Sequence, residues 1–501
     1  MRRLRMRIET QVQAVLLFLP LCGAAVSAQS TLPATPAPYN PIALGEITGG
    51  PRTAVEAGQV SGRALSQNPY FGGVPSGKLG AAPLEISLDD AVSRGLKHNL
   101  GEVLATDTVT DARGLRWQAL SELLPNVVTG SGFGVRQIDL KSEFGLAIPG
   151  VPPIIGPFGT FESRAYFEES VFDWGSIERV RSAEDQLESA QFSARDAQEL
   201  VALVVISNYL LLIADESEVE SARSQRDTAK TLVAQANDQK LSGLASAVDV
   251  LRSQVELQSR EQQLISAKNA LAKQKLVLAR AIGLPLGQQF EASTRVPYRE
   301  LTPGGLDHAI ESAYGARPDY QSQLRLVRAA GLGRQAASAE RYPSIEADVD
   351  YGLAGVNPGT SHGTIDAAVT LRIPVFQGGR VHGDVLRADA VLTQEQQRLE
   401  DLRARIDQEV RDAYLDLTSA AQEVSVEHSA VNLATQSLEQ SRDRFRSGVT
   451  DNVEVVQAQD ALAIANDAYI ASLYSYNVAK ISLARSIGVA ASQYSNYLGV
   501  H

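Results

Sequence analysis

Ser170-Val171-Phe172-Asp173-Trp174-Gly175 and Ile373-Pro374-Val375-Phe376-Gln377-Gly378-Gly379 are two versions of one corner, about 205 residues apart. Each closes an apolar, alternating stretch and opens a long segment with no proline. Outward from this pair the correspondence continues. Leu241-Ser242-Gly243 and Val248-Asp249-Val250-Leu251 are answered by Arg446-Ser447-Gly448 and Val453-Glu454-Val455-Val456. Toward the start, Ser87-Leu88-Asp89-Asp90-Ala91-Val92 is answered by Gly305-Leu306-Asp307-His308-Ala309-Ile310. Leu278-Ala279-Arg280-Ala281-Ile282-Gly283 and Leu483-Ala484-Arg485-Ser486-Ile487-Gly488 end the two halves. A duplication of this length is one structural unit used twice, so residues 84–285 and 305–490 are read together.

Before each corner lies a pair of strand patterns, expected at 127–136 with 163–172 and at 345–353 with 364–376. Ile345, Ala347, Val349, Tyr351 and Leu353 alternate with Glu346, Asp348, Asp350 and Gly352. Period 2 with one apolar and one polar face fits a half-buried hairpin, and equally a barrel strand with lipid outside and water inside. The exported context and the lack of other apolar partners favour the barrel. After each corner a long helix is expected, 176–241 and 379–446, each about 100 Å at 1.5 Å per residue. The returning segments hold a seven-residue repeat: Val250, Leu257, Leu264, Leu271, Leu278, and Val455, Leu462, Tyr469, Tyr476, Leu483. A sustained 3.5-residue period demands a left-handed coiled coil. Gly243 and Gly448 stand where the helices reverse, at tips expected over 241–249 and 446–454, as C-cap glycines allow. Single helices are expected over 88–120 and 305–339, with a mid-rod linker at 286–304 and a tail at 491–501.

The ends and the composition set the compartment. Arg2, Arg3, Arg5 and Arg7, an apolar core at 15–19 and Val26-Ser27-Ala28 read as a signal peptide over 1–28. Its removal deletes four Arg and one Glu and takes the net charge from −12 to −15, which argues against a nucleic-acid partner. The one cysteine, Cys22, falls in the signal; it has a faint lipobox setting, but Leu21 occupies a position that is normally small. The mature chain then has neither disulfides nor thiolate ligands. Residues 29–83, rich in Pro, Gly, Ala and Ser, read as an extended or disordered leader. No later stretch approaches 18 consecutive apolar residues, so no spanning helix is expected.

Four strands are too few to close a membrane barrel, for which about eight is the lower limit. Three copies would supply twelve, and open sheet edges are costly in lipid, so a trimer is expected. The expected class is a membrane α+β fold of two repeats, each a β-hairpin plus long antiparallel coiled-coil helices. The doubled corner, Ala316-Arg317-Pro318-Asp319-Tyr320 and the tip series from Phe445 to Val456 together resemble the TolC-like outer-membrane efflux and secretion ducts, over residues 84–490. The resemblance implies a homotrimer whose 12-stranded barrel in outer-membrane lipid continues as a periplasmic α-helical barrel. It also implies a passive conduit whose tips meet a periplasmic adaptor and, through it, an inner-membrane pump. By the same resemblance, tip acids line a closed aperture, here at Asp249, Glu454 and Gln457. Gln457 replaces one acid and Thr450 stands at the family's Arg position, which puts the ion pair to Asp249 in question; Asp451, one turn before Glu454, can compensate.

Other chemistry finds no support. Asp173 beside Trp174 serves a strand-to-helix corner with Phe172 and Gly175, as Phe376, Gly378 and Gly379 serve the second. Gly378-Gly379 lacks the pattern of a phosphate loop, and the six His are dispersed without ligand spacing. Glu346, Asp348 and Asp350 fit a solvated wall better than a glycosidase pair. No catalytic residue, cofactor or metal is expected. Asp249 and Glu454 can equally serve their helix N-termini through the macrodipole. The rival reading is an exported trimeric coiled-coil adhesin or periplasmic spacer, which leaves the matched hairpins unexplained; an exported enzyme would need a nucleophile–base or metal constellation.

Overall fold

A computed structural model describes residues 68–500, apart from 78, 81, 141, 143, 144, 146–148, 244, 245, 302, 303, 448 and 451. These belong to one unit, Leu44–His501. The expected signal at 1–28, most of the leader, Gly448 and Asp451 lie outside the described residues. The first half contains β1 (Leu84–Ile86), α1 (Leu88–His98), α2 (Leu100–Ser121), β2 (Asn126–Asp139), β3 (Ile154–Phe172), α3 (Trp174–Leu241) and α4 (Ala247–Ala281). After β4 (Phe290–Ala292) come α5 (Leu306–Ala316), α6 (Pro318–Ala339), β5 (Ser344–Gly355), β6 (His362–Arg372), α7 (Arg380–Arg446), α8 (Asn452–Ile487) and α9 (Ala490–Leu498).

The long helices are α3, 68 residues, and α7, 67 residues. Neither holds a proline, so no amide is removed from the ladder. Each pairs with its returning helix through apolar contacts: Val219 and Ala222 with Leu264 and Ala267, and Leu417, Ala420 and Val424 with Tyr476, Ala479 and Leu483. Along α4 the seven-residue series is buried or half-buried, and so is a second line three residues on: Ser253, Arg260, Ala267, Gln274 and Ala281. The matching line on α8 is Ala458, Ala465, Ser472, Ala479 and Ser486. Small and polar residues on this line let the helices approach closely and hydrogen-bond, a feature a search for apolar repeats passes over.

The sheet order is β2-β3-β5-β6, antiparallel throughout. β3 begins nine residues earlier than expected, at Ile154, while β6 stops at Arg372 instead of running to Phe376. Pro374 has no amide to donate, so the ladder ends there. One face carries Glu168, Asp348, Asp350 and Asp366 around Arg164, whose guanidinium bonds Glu162, Asp350 and Thr364. The other bears exposed Val127, Phe133, Tyr351, Ile365 and Val369. Four helices continue the strands in the same lateral order: α2 packs on α3, α3 on α6, and α6 on α7. Sheet and helices thus form one continuous row with β2 and α2 at one side and β6 and α7 at the other.

Midway along α3 the chain is packed on all sides. Val201 to Ile206 are fully buried, and Tyr209 donates to the Ile86 carbonyl at 2.9 Å. This window is apolar enough by composition to cross a membrane, but 78% of it is buried within the fold, which makes it a core segment. The helix expected over 88–120 is broken at Asn99 and that over 305–339 at Arg317, each with an extended ψ (136° and 122°). Pro318 disfavours helical geometry at the residue before it; Asn99 instead uses its side chain, accepting from Gly101 N and donating to Tyr70 and Ala281 carbonyls. The linker at 286–304 is more than a break: β4 pairs in parallel with β1, and Lys480 and Tyr476 bond the backbone of Arg299 and Leu301. Ala490–Leu498, which begins at the last residue of the expected second repeat and runs into the expected tail, forms α9, with Tyr494 donating to Asp89 at 2.6 Å. The end of the expected leader is also built, Pro69–Phe71 forming a 3-10 turn against the Asn99 break.

Candidate functional site

At the first tip α3 ends at Leu241, and Gly243 takes a left-handed φ of 74°, a conformation that favours glycine. Ser246 and Asp249 then form a reciprocal capping box: Asp249 N donates to Ser246 Oγ at 3.2 Å, and Ser246 N donates to Asp249 Oδ2 at 2.9 Å. The Ser246 hydroxyl bond holds the Asp249 carboxyl below its usual range. Arg252, one turn on, lies 3.6 Å away. Asp249 is therefore engaged in starting α4.

At the second tip Glu454 accepts from Arg444 at 3.0 Å and from the Thr450 hydroxyl at 2.5 Å. Its charge is paired within the chain. The tips are stitched together: the Asn452 amide donates to Ser253 Oγ at 2.6 Å and to the Asp249 carbonyl at 3.3 Å. One heptad further, Arg260 joins Glu256 to Asp460. Between these stitches lies a cleft of about 440 Å³ lined mainly by Val248, Leu251, Val255, Val453 and Val456, with Arg252, Glu256 and Gln457 as its polar residues. Gln457 thus borders an apolar cleft between the two coiled coils. Ser246 is absent from the sequence reading, although its place three residues before Asp249 is a capping pattern that could have found it; Arg444, ten residues before Glu454, left no sequence signal.

The corners lie at the other end of the long helices and differ from each other. In the first, Asp173 caps α3, accepting from Gly175 N at 2.9 Å and Ser176 Oγ at 2.7 Å, while Arg179 bonds Glu122 at the end of α2. In the second, Gly378 and Gly379 take φ of 63° and 85° and no side chain caps α7. Here Gln377 supplies the bonds, donating to the Glu340 carbonyl at 3.2 Å and accepting from Arg380, which also pairs with the Glu340 carboxylate at 2.6 Å. Both corners anchor a long helix to the helix before it. Phe172 is partly exposed and Phe376 almost wholly so.

Between tips and corners, Arg317 is a buried hub. It bonds Asp319 at 2.7 Å, Glu409 at 2.6 Å and the Ser486 carbonyl at 3.2 Å. Nearby, Arg485 pairs with Asp196 at 2.6 Å, and burial pushes the Asp196 carboxyl upward. These bonds join α3, α6, α7 and α8. Among the described residues no cluster of three or more His, Cys, Asp or Glu could hold a metal.

A long two-coil rod on an amphipathic antiparallel sheet is the architecture of an outer-membrane duct. The sequence pattern described as "outer membrane efflux protein" matches residues 158–284 and 309–489, and the chain belongs to that family. Alkaline protease secretion protein AprF of Pseudomonas aeruginosa is 21% identical over 66% of this chain and 70% of its own. Outer membrane protein TolC of Vibrio cholerae is 21% identical over 78% and 86% respectively. The solved structure of outer membrane protein VceC from Vibrio cholerae superposes with a TM-score of 0.68 at 18% identity, covering 80% of this chain and 96% of VceC. The family is one of transport ducts rather than enzymes, and its members sit in the outer membrane with a periplasmic extension.

Proposed function

We propose that three copies of this chain assemble into a passive export channel, with a 12-stranded barrel in the outer membrane and an α-helical tunnel through the periplasm. The observation that carries this reading is the row with two open sides. β2 and β6 leave unpaired backbone edges flanking an amphipathic sheet, which lipid does not tolerate, and four strands cannot close alone. The duplicated element order gives each copy two equivalent half-units of rod, so a ring of three is six-fold regular in outline.

The channel serves as the outer component of a tripartite efflux or type I secretion system, its tips engaging a periplasmic adaptor and through it an inner-membrane pump. The exposed apolar cleft between Val248, Leu251 and Val456 supports a docking role at that end. The cargo is drugs, metals or proteins, a reading supported by the family's efflux role and by a relative's protease secretion. Glu454 is assigned to the aperture, with Asp249, Gly243 and Gln457 shaping the tip around it. No residue carries out chemistry on the cargo and no cofactor is required.

Native mass in detergent and conductance in planar bilayers test this. Trimers that conduct ions are expected. A monomeric mass, or trimers with no conductance, would overturn the channel; the second result would return the protein to a coiled-coil adhesin or spacer.

A further inference from the structure

The corner after β6 leaves large apolar side chains bare. Val375 is 93% exposed and Phe376 89%, between β6 and α7 at the edge where the row ends. At the opposite side, the end of α2 and the turn into β2 expose Trp117 (57%) and Leu124 (44%). Exposed apolar side chains thus stand at the last element on each side of the row.

The sheet fixes how these flanks would meet. Asn126, Glu168, Asp348 and Ala368 stand in one lateral row, so the start of β2 and the last residues of β6 lie at the same end of the sheet. Three antiparallel steps separate β2 from β6, so they run in opposite senses. Antiparallel pairing of one copy's β6 with the next copy's β2 therefore puts residues 373–376 and the residues that precede Asn126 at the same end of the shared junction. Strands pair about 4.8 Å apart, so the flanks meet whatever their side chains, and lipid has no room between them. The helices agree. Leu386 lies six residues inside α7 and Leu115 six residues inside α2, each about 9 Å from the junction, and both are exposed.

We propose that Val375 and Phe376 of one copy dock against Trp117 and Leu124 of the next, forming an apolar clasp at the junction of sheet and helices. The partner is a second copy of this chain, and the clasp rests on the trimeric reading above. The doubled glycine after Phe376 gives this corner its reach. Left-handed Gly378 and Gly379 turn the backbone with no Cβ to crowd the approach, whereas the side-chain-capped corner at Asp173 has no projecting segment of this kind.

The mature chain has no cysteine once residues 1–28 are removed, so introduced pairs report without background. Leu124→Cys with Phe376→Cys, and separately Trp117→Cys with Val375→Cys, would be oxidised in native outer membranes and run without reductant. Reducible dimer and trimer bands from the pairs, absent from each single variant, are expected. Native mass on the same samples separates the two claims. A trimeric mass with neither pair cross-linking overturns the clasp and leaves the channel standing; a monomeric mass overturns both. Fluorescence supplies a second readout, because Trp117 and Trp174 are the two tryptophans. In a Trp174→Phe background, brominated phospholipid should leave Trp117 emission nearly unquenched, and Phe376→Ala should raise quenching several-fold while Phe376→Leu does not. Strong quenching without the Phe376 change assigns the surface to lipid and overturns the clasp.

Discussion

Glu454 is bonded by Arg444 and Thr450, so its charge cannot act as a bare carboxylate at the helical tip. If three copies converge on an axis, the field at the mouth is set by three Glu454–Arg444 pairs, each close to neutral at a distance. Low-dielectric walls focus whatever charge is uncompensated. Glu454→Gln should lower the cation-to-anion permeability ratio in planar bilayers, and Arg444→Gln should raise it by freeing the acid. Added salt should compress both changes, since the Debye length is about 10 Å at 0.1 M. Ratios unmoved in both variants would leave Glu454 as a helix-end residue and nothing more. Asp249 makes the contrasting case. Its carboxyl is held low by Ser246, so the stability it lends is present above the unfolded pKa and is lost as pH falls through the folded value. Ser246→Ala should cost about 1 kcal/mol, within the range for N-caps, seen as faster hydrogen exchange over the first turns of α4. The residue types at both tips could be read in the sequence, but the pairing of Glu454 could not. A capping box is local and follows from spacing, whereas the Arg444–Glu454 pair depends on how two helices face each other across a turn.

Elements were legible where one rule governs them. Proline-free stretches after the corners gave the long helices within a few residues, heptads gave their returning partners, and alternation gave the second pair of strands most clearly. The misses have physical causes. Single helices were expected across Asn99 and Arg317 because apolar periodicity continues through both breaks, while the bonds that favour the breaks come from Tyr70, Ala281 and Ser486, distant in sequence. Three-residue β1 and β4 are too short to show a period and exist because they pair with each other across 206 residues. Arg317 shows what such a junction is worth. Its side chain is 3% exposed and faces two carboxylates, so Arg317→Ala would strand both and cost about 3–5 kcal/mol. Arg317→Lys should recover only part of this, since one ammonium cannot fork between Asp319 and Glu409. Thermal unfolding in detergent measures both; equal midpoints for Lys and wild type would sink the hub. The linker clasp adds a pH effect. Lys480 is buried against Tyr476 and the Arg299 carbonyl, and burial lowers its pKa to about 8. Between about pH 8 and the unfolded value near 10.4, the unfolded chain binds the extra proton. Stability should therefore rise across that window. Lys480→Met should abolish the rise, and a slope unchanged by the substitution would show that other groups set it.

For the whole molecule, an amphipathic sheet with two free edges cannot be stable as a monomer in lipid. Each unpaired backbone group there costs several kcal/mol, and water is absent to satisfy it. The described residues place such edges at β2 and β6, with the exposed flanks of α2 and α7 directly below them. The periplasmic part is less constrained, because buried contacts within one chain already join its two coiled coils: Leu232 of α3 with Leu438 and Phe445 of α7 and Val455 of α8. Folding should divide along this line. On the trimeric reading, the helical part gains its structure within a chain, and the sheet gains its own only when three chains meet. Stability that depends on association varies with protein concentration by mass action. Refolding into bilayers should therefore show helix formation that is independent of the protein-to-lipid ratio, by far-ultraviolet dichroism. Barrel formation, read as heat-modifiable trimer on gels, should shift to lower denaturant as the ratio falls. A barrel midpoint that ignores protein concentration would mean that one chain can satisfy its own sheet edges, and the requirement for three copies would fall with it.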